Sequence, residues 1–291
     1  MEYWLHILVL IGIYAIAALA LNLVAGYAGL LSMAHAAFYG VGAYVVALLG
    51  LKLGLPFWLS IVCAASVTSL LGFIASLALL RVHDDHFVLV TFGLQLIATG
   101  LMTNWIAATN GPMGLPGIPQ PILFGFSFDT HWRFLALTWS FATVAFAFCR
   151  CLVRAPFGRV LRAIREDEVF AQAMGKNVTN YKVTVFVVAA ALVSIAGGLY
   201  ASYTTFIDPT SFTIQESIFL LAIVIVGGAG NLWGSILGAA ILVAAPELLR
   251  FVGLPSSVAA NVRQILYGTL LVIVMLFRPR GLLGEFDFRD K

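Results

Sequence analysis

Charged side chains are scarce in this sequence. Asp, Glu, Lys and Arg make up 10% of the 291 residues, whereas a soluble globular domain devotes about a quarter of its residues to these four types. The mean hydropathy of +1.01 is typical of a chain surrounded by a lipid bilayer. The net charge of +3 is too small and too localised for a protein that binds nucleic acid. The composition therefore excludes a soluble domain and indicates an integral membrane protein.

Cysteine is also scarce, and the motifs of several chemistries are missing. Three cysteines, Cys63, Cys149 and Cys151, lie in apolar segments, and an odd number argues against a disulfide framework. The sequence has no G-x-x-x-x-G-K-[ST] phosphate loop, so the chain is not expected to bind ATP itself. Residues 83–86 (His-Asp-Asp-His) have metal-binding side chains, but no further ligands cluster nearby and no metal site is expected. We expect neither an enzyme nor a cofactor in this chain.

Long uncharged runs are abundant. They cover residues 7–25, 57–80, 87–108 and 183–207, and shorter apolar runs cover 33–50, 134–149 and 258–277. One membrane crossing takes about 20 apolar residues. No basic segment precedes the first run, so we interpret it as a retained helix rather than a secretory signal. With the apolar region 217–246 included, the runs predict an all-α polytopic integral membrane protein with about eight or nine membrane segments, forming one domain over residues 1–291.

Two apolar segments are interrupted by similar sequences. Residues 26–31 read GYAGLL and residues 227–232 read GGAGNL. We expect residues 26–32 and 227–232 to be non-helical or sharply bent, because glycine weakens helices. Matched broken helices are typical of transporters built from repeats, although small residues also let membrane helices pack closely. Residues 217–246 fit either two crossings or a re-entrant pair.

Positive charge is concentrated between residues 150 and 182. This segment holds seven of the sixteen Lys and Arg residues, and the tail from Arg278 holds four more. Basic residues accumulate on the cytoplasmic side of membrane proteins. The loop 150–182 and the tail are therefore predicted to be cytoplasmic, and counting spans backwards places the N-terminus outside.

The same loop predicts one amphipathic helix over residues 157–175. Arg162 and Glu166 are spaced to pair at i, i+4, and Arg165 and Glu168 at i, i+3. The apolar side chains of this segment are Val160, Leu161, Ile164, Phe170 and Met174. The helix could lie on anionic lipid, form an ordinary basic loop, or dock onto a soluble partner. Interspersed acidic residues weaken the lipid alternative, and the last two apolar side chains favour docking.

Several motifs together resemble a known family. Glu168-x-x-Ala171-x-x-x-Gly175 is similar to the coupling loop of ABC importer permeases. The segments GRVLRAIREDEVFAQAMG, VGGAGNLWGSILGA, NLVAGYAGLLSMAHAAFYGVGAY and TNGPMGL resemble those of the branched-chain amino-acid permeases of the LivM/LivH type. The sequence departs from the family pattern at Ala34, at residues 81–87 and in TNG, and these departures leave the substrate open.

The resemblance implies a permease subunit in a bacterial plasma (inner) membrane. Such a subunit would pair with a second homologous permease, two ABC ATPase subunits and an extracytoplasmic substrate-binding protein. The implied cargo is a branched-chain or related hydrophobic amino acid, or a small amide or carboxylate such as urea. Contact with the ATPase is then expected from Arg162, Arg165, Glu166, Glu168, Phe170, Met174 and Gly175.

A few polar side chains interrupt the apolar spans. Ser32, His35 and Gln95 are candidates for lining a substrate pathway, because polar groups within membranes usually face a cavity or a partner helix. Hydrogen bonding between helices is the structural alternative for each. Glu216, at the start of region 217–246, could touch substrate or cap a helix.

Two other classes of protein compete with the importer. A secondary transporter of small polar solutes would need coupling carboxylates at mid-membrane, and the long spans contain none. An integral membrane enzyme would need clustered catalytic side chains, for which only residues 83–86 are available.

Overall fold

A computed structural model describes residues 2–79, 84–123 and 126–250, together with isolated positions between 268 and 284. Its helices are α1 (Glu2–Asn22), α2 (His35–Leu53), α3 (Phe57–Leu79), α4 (Asp84–Asn104), α5 (Ile106–Thr109), α6 (His131–Arg154), α7 (Pro156–Glu166), α8 (Glu168–Ala173), α9 (Val178–Thr204), α10 (Ile214–Gly227) and α11 (Leu232–Arg250). The strands are β1 (Leu115–Pro116), β2 (Ile122–Leu123), β3 (Phe126–Ser127) and β4 (Phe206–Ile207). Strand β1 pairs with β4, and β2 pairs with β3, both antiparallel.

The described ranges are nearly all α-helical. Six helices there are long and apolar enough to cross a membrane, and α10 with the first part of α11 forms a further candidate that is bent by 120°. These ranges therefore confirm a multi-pass helical protein with six or seven candidate spans. The predicted segment 258–277 lies largely outside the described residues, and so do the side chains of residues 83–86.

Helix α1 lies at the centre of the bundle. It is apolar on all sides, which is typical of a helix surrounded by other helices, and most of its residues are buried. Helices α6, α9 and α11 pack around it, while α2 and α3 pack on α9. Helix α4, in contrast, exposes large apolar side chains such as Leu89, Ile97 and Leu101.

Glycines allow α2 and α9 to pack closely. A Cβ atom at Gly197 of α9 would collide with the backbone carbonyl of Tyr39, and one at Gly42 of α2 would collide with Ser194. Close backbone approach of this kind is a common means of packing helices in membranes, where burial of apolar surface gives little driving force.

Both predicted breaks are present. Helix α1 continues as one π turn (Leu23–Tyr27), and residues 28–34 are not helical. Between α10 and α11, Gly228 and Gly230 adopt φ angles of +116° and +81°, a region that glycine enters without strain. The first break thus begins with a π turn rather than with irregular backbone, and the second is a sharp reversal.

The two halves of the bent pair differ in length and depth. Helix α10 has 14 residues, which span about 21 Å, less than the roughly 30 Å of a bilayer core. It begins beside the middle of α1, where Tyr14 and Phe219 are in edge contact with ring centroids 5.2 Å apart. It ends near the C-terminus of α1, and α11 returns to pack Val243 against Ile7 and Ile11.

Candidate functional site

The predicted amphipathic helix is two helices, α7 and α8, instead of one. Asp167 separates them with an extended backbone (φ −153°, ψ 108°), and its carboxylate accepts a hydrogen bond of 2.9 Å from the backbone N–H of Phe170. A capping aspartate satisfies an otherwise unpaired N–H group at a helix start. The single-helix prediction was therefore wrong at Asp167, because the local cap competes with continuation of α7.

The end of α8 matches the sequence prediction. Gly175 has a φ angle of +75°, its N–H donates to the carbonyl of Gln172 (2.9 Å), and the N–H of Lys176 donates to that of Ala171 (3.2 Å). These bonds satisfy carbonyl groups that a helix leaves unpaired at its C-terminus. Gly175 therefore fixes where α8 stops.

Helix α8 presents an apolar surface that the bundle does not cover. Val169, Phe170 and Met174 are 75%, 60% and 66% exposed. Below them, Ile164, Ala171 and Val178 form a small buried cluster that holds α7 and α8 against α9. We call the exposed trio the α8 surface.

The charged residues of this region make different contacts from those expected. Arg165 is 8% exposed, and its Nη1 donates to the carbonyl of Gly26 over 2.7 Å. Its Nη2 pairs with Glu166 (2.8 Å), and Glu168 pairs with Lys182 (2.6 Å). The predicted pairs Arg162–Glu166 and Arg165–Glu168 are thus replaced by other contacts. The Arg165 side chain reaches into the first break instead of lying along its own helix.

Arg162 also faces the first break. Its guanidinium lies over the ring of Tyr27, 5.7 Å from the centroid, and its Nη2 donates to the carbonyl of Val153. Of the seven predicted coupling residues, Phe170 and Met174 belong to the exposed α8 surface, and Gly175 terminates helix α8. Arg162 and Arg165 instead connect α7 to the π turn of α1.

Asn22, which the sequence analysis did not single out, joins the two breaks. Its amide donates to the carbonyl of Asn231 (2.9 Å) and to the hydroxyl of Ser235 (2.7 Å), and its Oδ1 accepts from the N–H of Gly230 (2.9 Å). The sequence did contain a signal for this role, because Asn22 is a polar residue within an apolar run, just before the glycine motif at residues 26–31. The breaks lie side by side, next to Arg165.

Residues 281–284, in the C-terminal tail, lie at the same end of the bundle. The N–H groups of Leu282 and Leu283 donate to the carbonyls of Val226 and Gly227 over 2.9 and 3.0 Å. The loop 150–182 and residues 281–284 therefore share one end of the molecule, as the distribution of basic residues predicts.

The predicted pathway residues are all buried and close together. Ser32, His35 and Gln95 are each at most 1% exposed, and Nδ1 of His35 lies 3.2 Å from the hydroxyl of Ser32. The hydroxyl of Ser217 donates to Gln95 (3.3 Å) and accepts from the N–H of Ala36 (3.1 Å). The three residues thus belong to one polar group that joins α2, α4 and α10.

This polar group binds backbone as well as side chains. Gln95 donates to the carbonyl of Phe212 over 2.8 Å, while Nε2 of His35 is buried without a partner in the described part of the chain. The bond from Gln95 to Phe212 is structural, which is the alternative role considered for these residues. That Ser32, His35 and Gln95 line a substrate pathway stays a prediction.

A second polar group surrounds Glu216, in the first turn of α10. Its carboxyl group is hydrogen-bonded to the hydroxyl of Tyr14, and the hydroxyls of Tyr39 and Tyr200 lie near enough to interact with it electrostatically. The N-cap of α10, Thr213, makes no side-chain cap bond, and Glu216 faces Tyr14 instead. In the sequence, Glu216 stands just before the apolar region 217–246 and outside the long uncharged runs, so its position beside the middle of α1 was not predicted.

Taken together, the bundle, its two adjacent breaks and the uncovered α8 surface define a polytopic membrane protein of the transporter class. The model of the family "Branched-chain amino acid transport system / permease component" matches residues 3–275. The chain belongs to this family of transport permeases, which confirms the predicted resemblance and the prediction that the protein is not an enzyme.

Similar proteins have related descriptions. The high-affinity branched-chain amino acid transport permease LivM of Salmonella typhimurium is 35% identical over 93% of this chain and 68% of that protein. A probable branched-chain amino acid transport permease LivM of Methanocaldococcus jannaschii is 27% identical over 96% of this chain and 92% of that protein. The high-affinity branched-chain amino acid transport permease LivH of Escherichia coli is 25% identical over 94% of this chain and 91% of that protein. No solved structure matches the chain.

Proposed function

We propose that the chain is one permease subunit of an ABC importer for branched-chain or related hydrophobic amino acids in a bacterial inner membrane. Family membership and the α8 surface support this proposal. A second, homologous permease would complete the pathway, two ATPase subunits would supply the energy, and an extracytoplasmic binding protein would deliver the cargo. The whole chain, 1–291, would form one permease domain.

The proposed ATPase contact is the α8 surface. Its apolar side chains are exposed on a helix that is capped at both ends, packed on α9 and joined through α7 to the first break. Motion of α8 would therefore reach residues 23–34, beside which the second break lies. This is the single observation that favours a docking helix over a lipid-bound helix.

The proposed orientation places the α8 end in the cytoplasm and the N-terminus outside. Helix α11 runs from the α8 end to the start of α1, and residues 281–284 lie again at the α8 end. One further crossing by residues 258–277 would connect them. With α10 counted as a short segment, this would give nine segments, and without it eight, in line with the number expected from the sequence.

The test is Phe170→Ala in the complex isolated through a tag on this chain. Burying a Phe side chain contributes about 1.5–3 kcal/mol, so we expect association with the ATPase to weaken about tenfold to a hundredfold. Phe148→Ala is the matched control, because Phe148 is 46% exposed on α6 and is not part of the α8 surface. Unchanged association and coupling in Phe170→Ala would reject the α8 surface as the docking site.

A further inference from the structure

The group around Glu216 has the composition of a site for a cation. Glu216 Oε1 and the Tyr39 hydroxyl are both buried without hydrogen-bond partners among the described residues. Tyr39 is only 1% exposed. A buried polar atom without a partner is costly, and such atoms in a native fold call for an explanation. Two acceptor atoms with free capacity in one place point to a ligand that brings N–H donors.

The aromatic rings around the carboxyl group favour the same kind of ligand. Tyr39 lies 5.6 Å from Tyr200 and 5.5 Å from Phe212 between ring centroids, and Tyr14 is in edge contact with Phe219. Aromatic faces attract ammonium groups, most strongly where water is excluded. The same rings offer apolar contact to an aliphatic side chain.

The depth of the group suits a transported solute. Tyr14 lies near the middle of the continuous helical stretch Glu2–Tyr27, about 20 Å from each end at 1.5 Å per residue. Glu216 is in the first turn of α10, the short half of the bent pair, which begins at this depth. Substrate sites in many transporters lie near the midplane, at the ends of discontinuous helices.

We propose that Glu216, with the hydroxyls of Tyr14, Tyr39 and Tyr200, binds the ammonium group of the transported amino acid. The inference rests on the proposed function and deepens it, because it requires a cationic amine on the cargo. Uncharged amides and simple carboxylates lack that group and would not be retained. Glu216 would then determine substrate class inside the membrane.

The test uses the transporter isolated from membranes through a tag on this chain, without the binding protein. Binding of three probes is measured by ligand-observed NMR: L-leucine, 3-methylbutylamine, which lacks the carboxylate, and 4-methylpentanoate, which lacks the amine. We expect leucine and the amine to bind, and the carboxylate to bind at least about tenfold more weakly, as expected for loss of a charged hydrogen-bonded contact.

Glu216→Gln keeps the shape of the side chain and removes its charge. We expect it to weaken binding of leucine and 3-methylbutylamine about tenfold to a hundredfold and to leave 4-methylpentanoate unchanged. Tyr39→Phe should give a smaller loss in the same direction. Tyr44→Phe is the matched control, because the Tyr44 hydroxyl is also buried without a partner among the described residues but is not one of the three hydroxyls grouped around Glu216.

Three results would overturn the inference. One is wild-type affinity of Glu216→Gln for both amines, and another is equal binding of 4-methylpentanoate and leucine by the unmodified transporter. The third is leucine binding that requires Na⁺ or K⁺ and loses this requirement in Glu216→Gln, since the carboxylate would then hold an inorganic cation. ATP-driven leucine uptake by the same transporter, reconstituted in proteoliposomes and supplied with the binding protein, tests the proposed function separately, and its absence would reject that function whatever Glu216 binds.

Discussion

Replacing Arg165 with Met should separate ATPase docking from transport. The substitution keeps an unbranched apolar side chain against Gly29, whose Cα region packs on the Arg165 side chain. It removes the guanidinium that donates to the Gly26 carbonyl over 2.7 Å. The α8 surface itself is unaltered, so the ATPase should still bind while the connection from α7 to the first break is weakened.

The magnitude is worked from two of the contacts that Arg165 makes, which differ in value. A buried hydrogen bond from a charged donor contributes about 1.5–3 kcal/mol. The pair with Glu166 adds little, because the Glu166 side chain is 63% exposed and exposed ion pairs contribute about 0–1 kcal/mol. A loss of about 2 kcal/mol shifts the equilibrium between attached and detached α7 about thirtyfold. We therefore expect a severalfold fall in amino acid imported per ATP hydrolysed.

The assay is uptake and hydrolysis measured together in proteoliposomes that contain the complete transporter. Arg159→Met is the matched control, because Arg159 lies on the same helix and is exposed. The control should retain the wild-type ratio, and both variants should retain the ATPase during purification. A wild-type ratio in Arg165→Met would refute the claim that this arginine transmits motion from α7 to α1.

Three further predictions concern packing and topology. Gly197→Ala should reduce the yield of folded protein, because a new Cβ collides with the Tyr39 carbonyl and overpacking costs about 1–3 kcal/mol. The control Gly93→Ala, which adds a Cβ in open space, should leave the yield unchanged. Equal yields and thermal stabilities of the two variants would contradict the helix packing. Asn22→Ala should lower the thermal stability in detergent, because it leaves Gly230 without its side-chain acceptor, and an unchanged melting temperature would show that Asn22 does not hold the breaks together. In a background without native cysteines, Gln120→Cys should react with an impermeant maleimide applied from outside, and Gln172→Cys only after permeabilisation. The reverse labelling pattern would invert the orientation.

The positions of the breaks and helix ends were largely predictable, because they depend on local chemistry. Gly175 stops α8, and the glycines between Gly227 and Asn231 reverse the chain, where the sequence places them. Asp167 was predicted inside a helix because its neighbours favour helix, and the cap that it forms with Phe170 is an equally local alternative. The spacing of residues alone did not distinguish a continuous helix through Asp167 from a second helix capped by it.

The long-range contacts were not predictable from spacing. Arg165 was expected to pair along its own helix, yet it donates to a carbonyl 139 residues away. The contact of Glu216 with Tyr14 had no local signal in the sequence, because it depends on the pairing of β4 with β1 and on the following residues, which lead α10 into the bundle beside Tyr14. Both outcomes depend on how separate helices pack, which a single segment does not encode.

The most direct test of the central claim is uptake of labelled L-leucine into proteoliposomes containing the complex that purifies with this chain. For an ABC importer, we expect a P-loop ATPase in that complex and uptake that requires ATP and the binding protein. We also expect uptake to persist when ion gradients are dissipated. Uptake driven by an ion gradient without ATP, or a transporter that purifies without an ATPase, would contradict the proposal of an ABC importer.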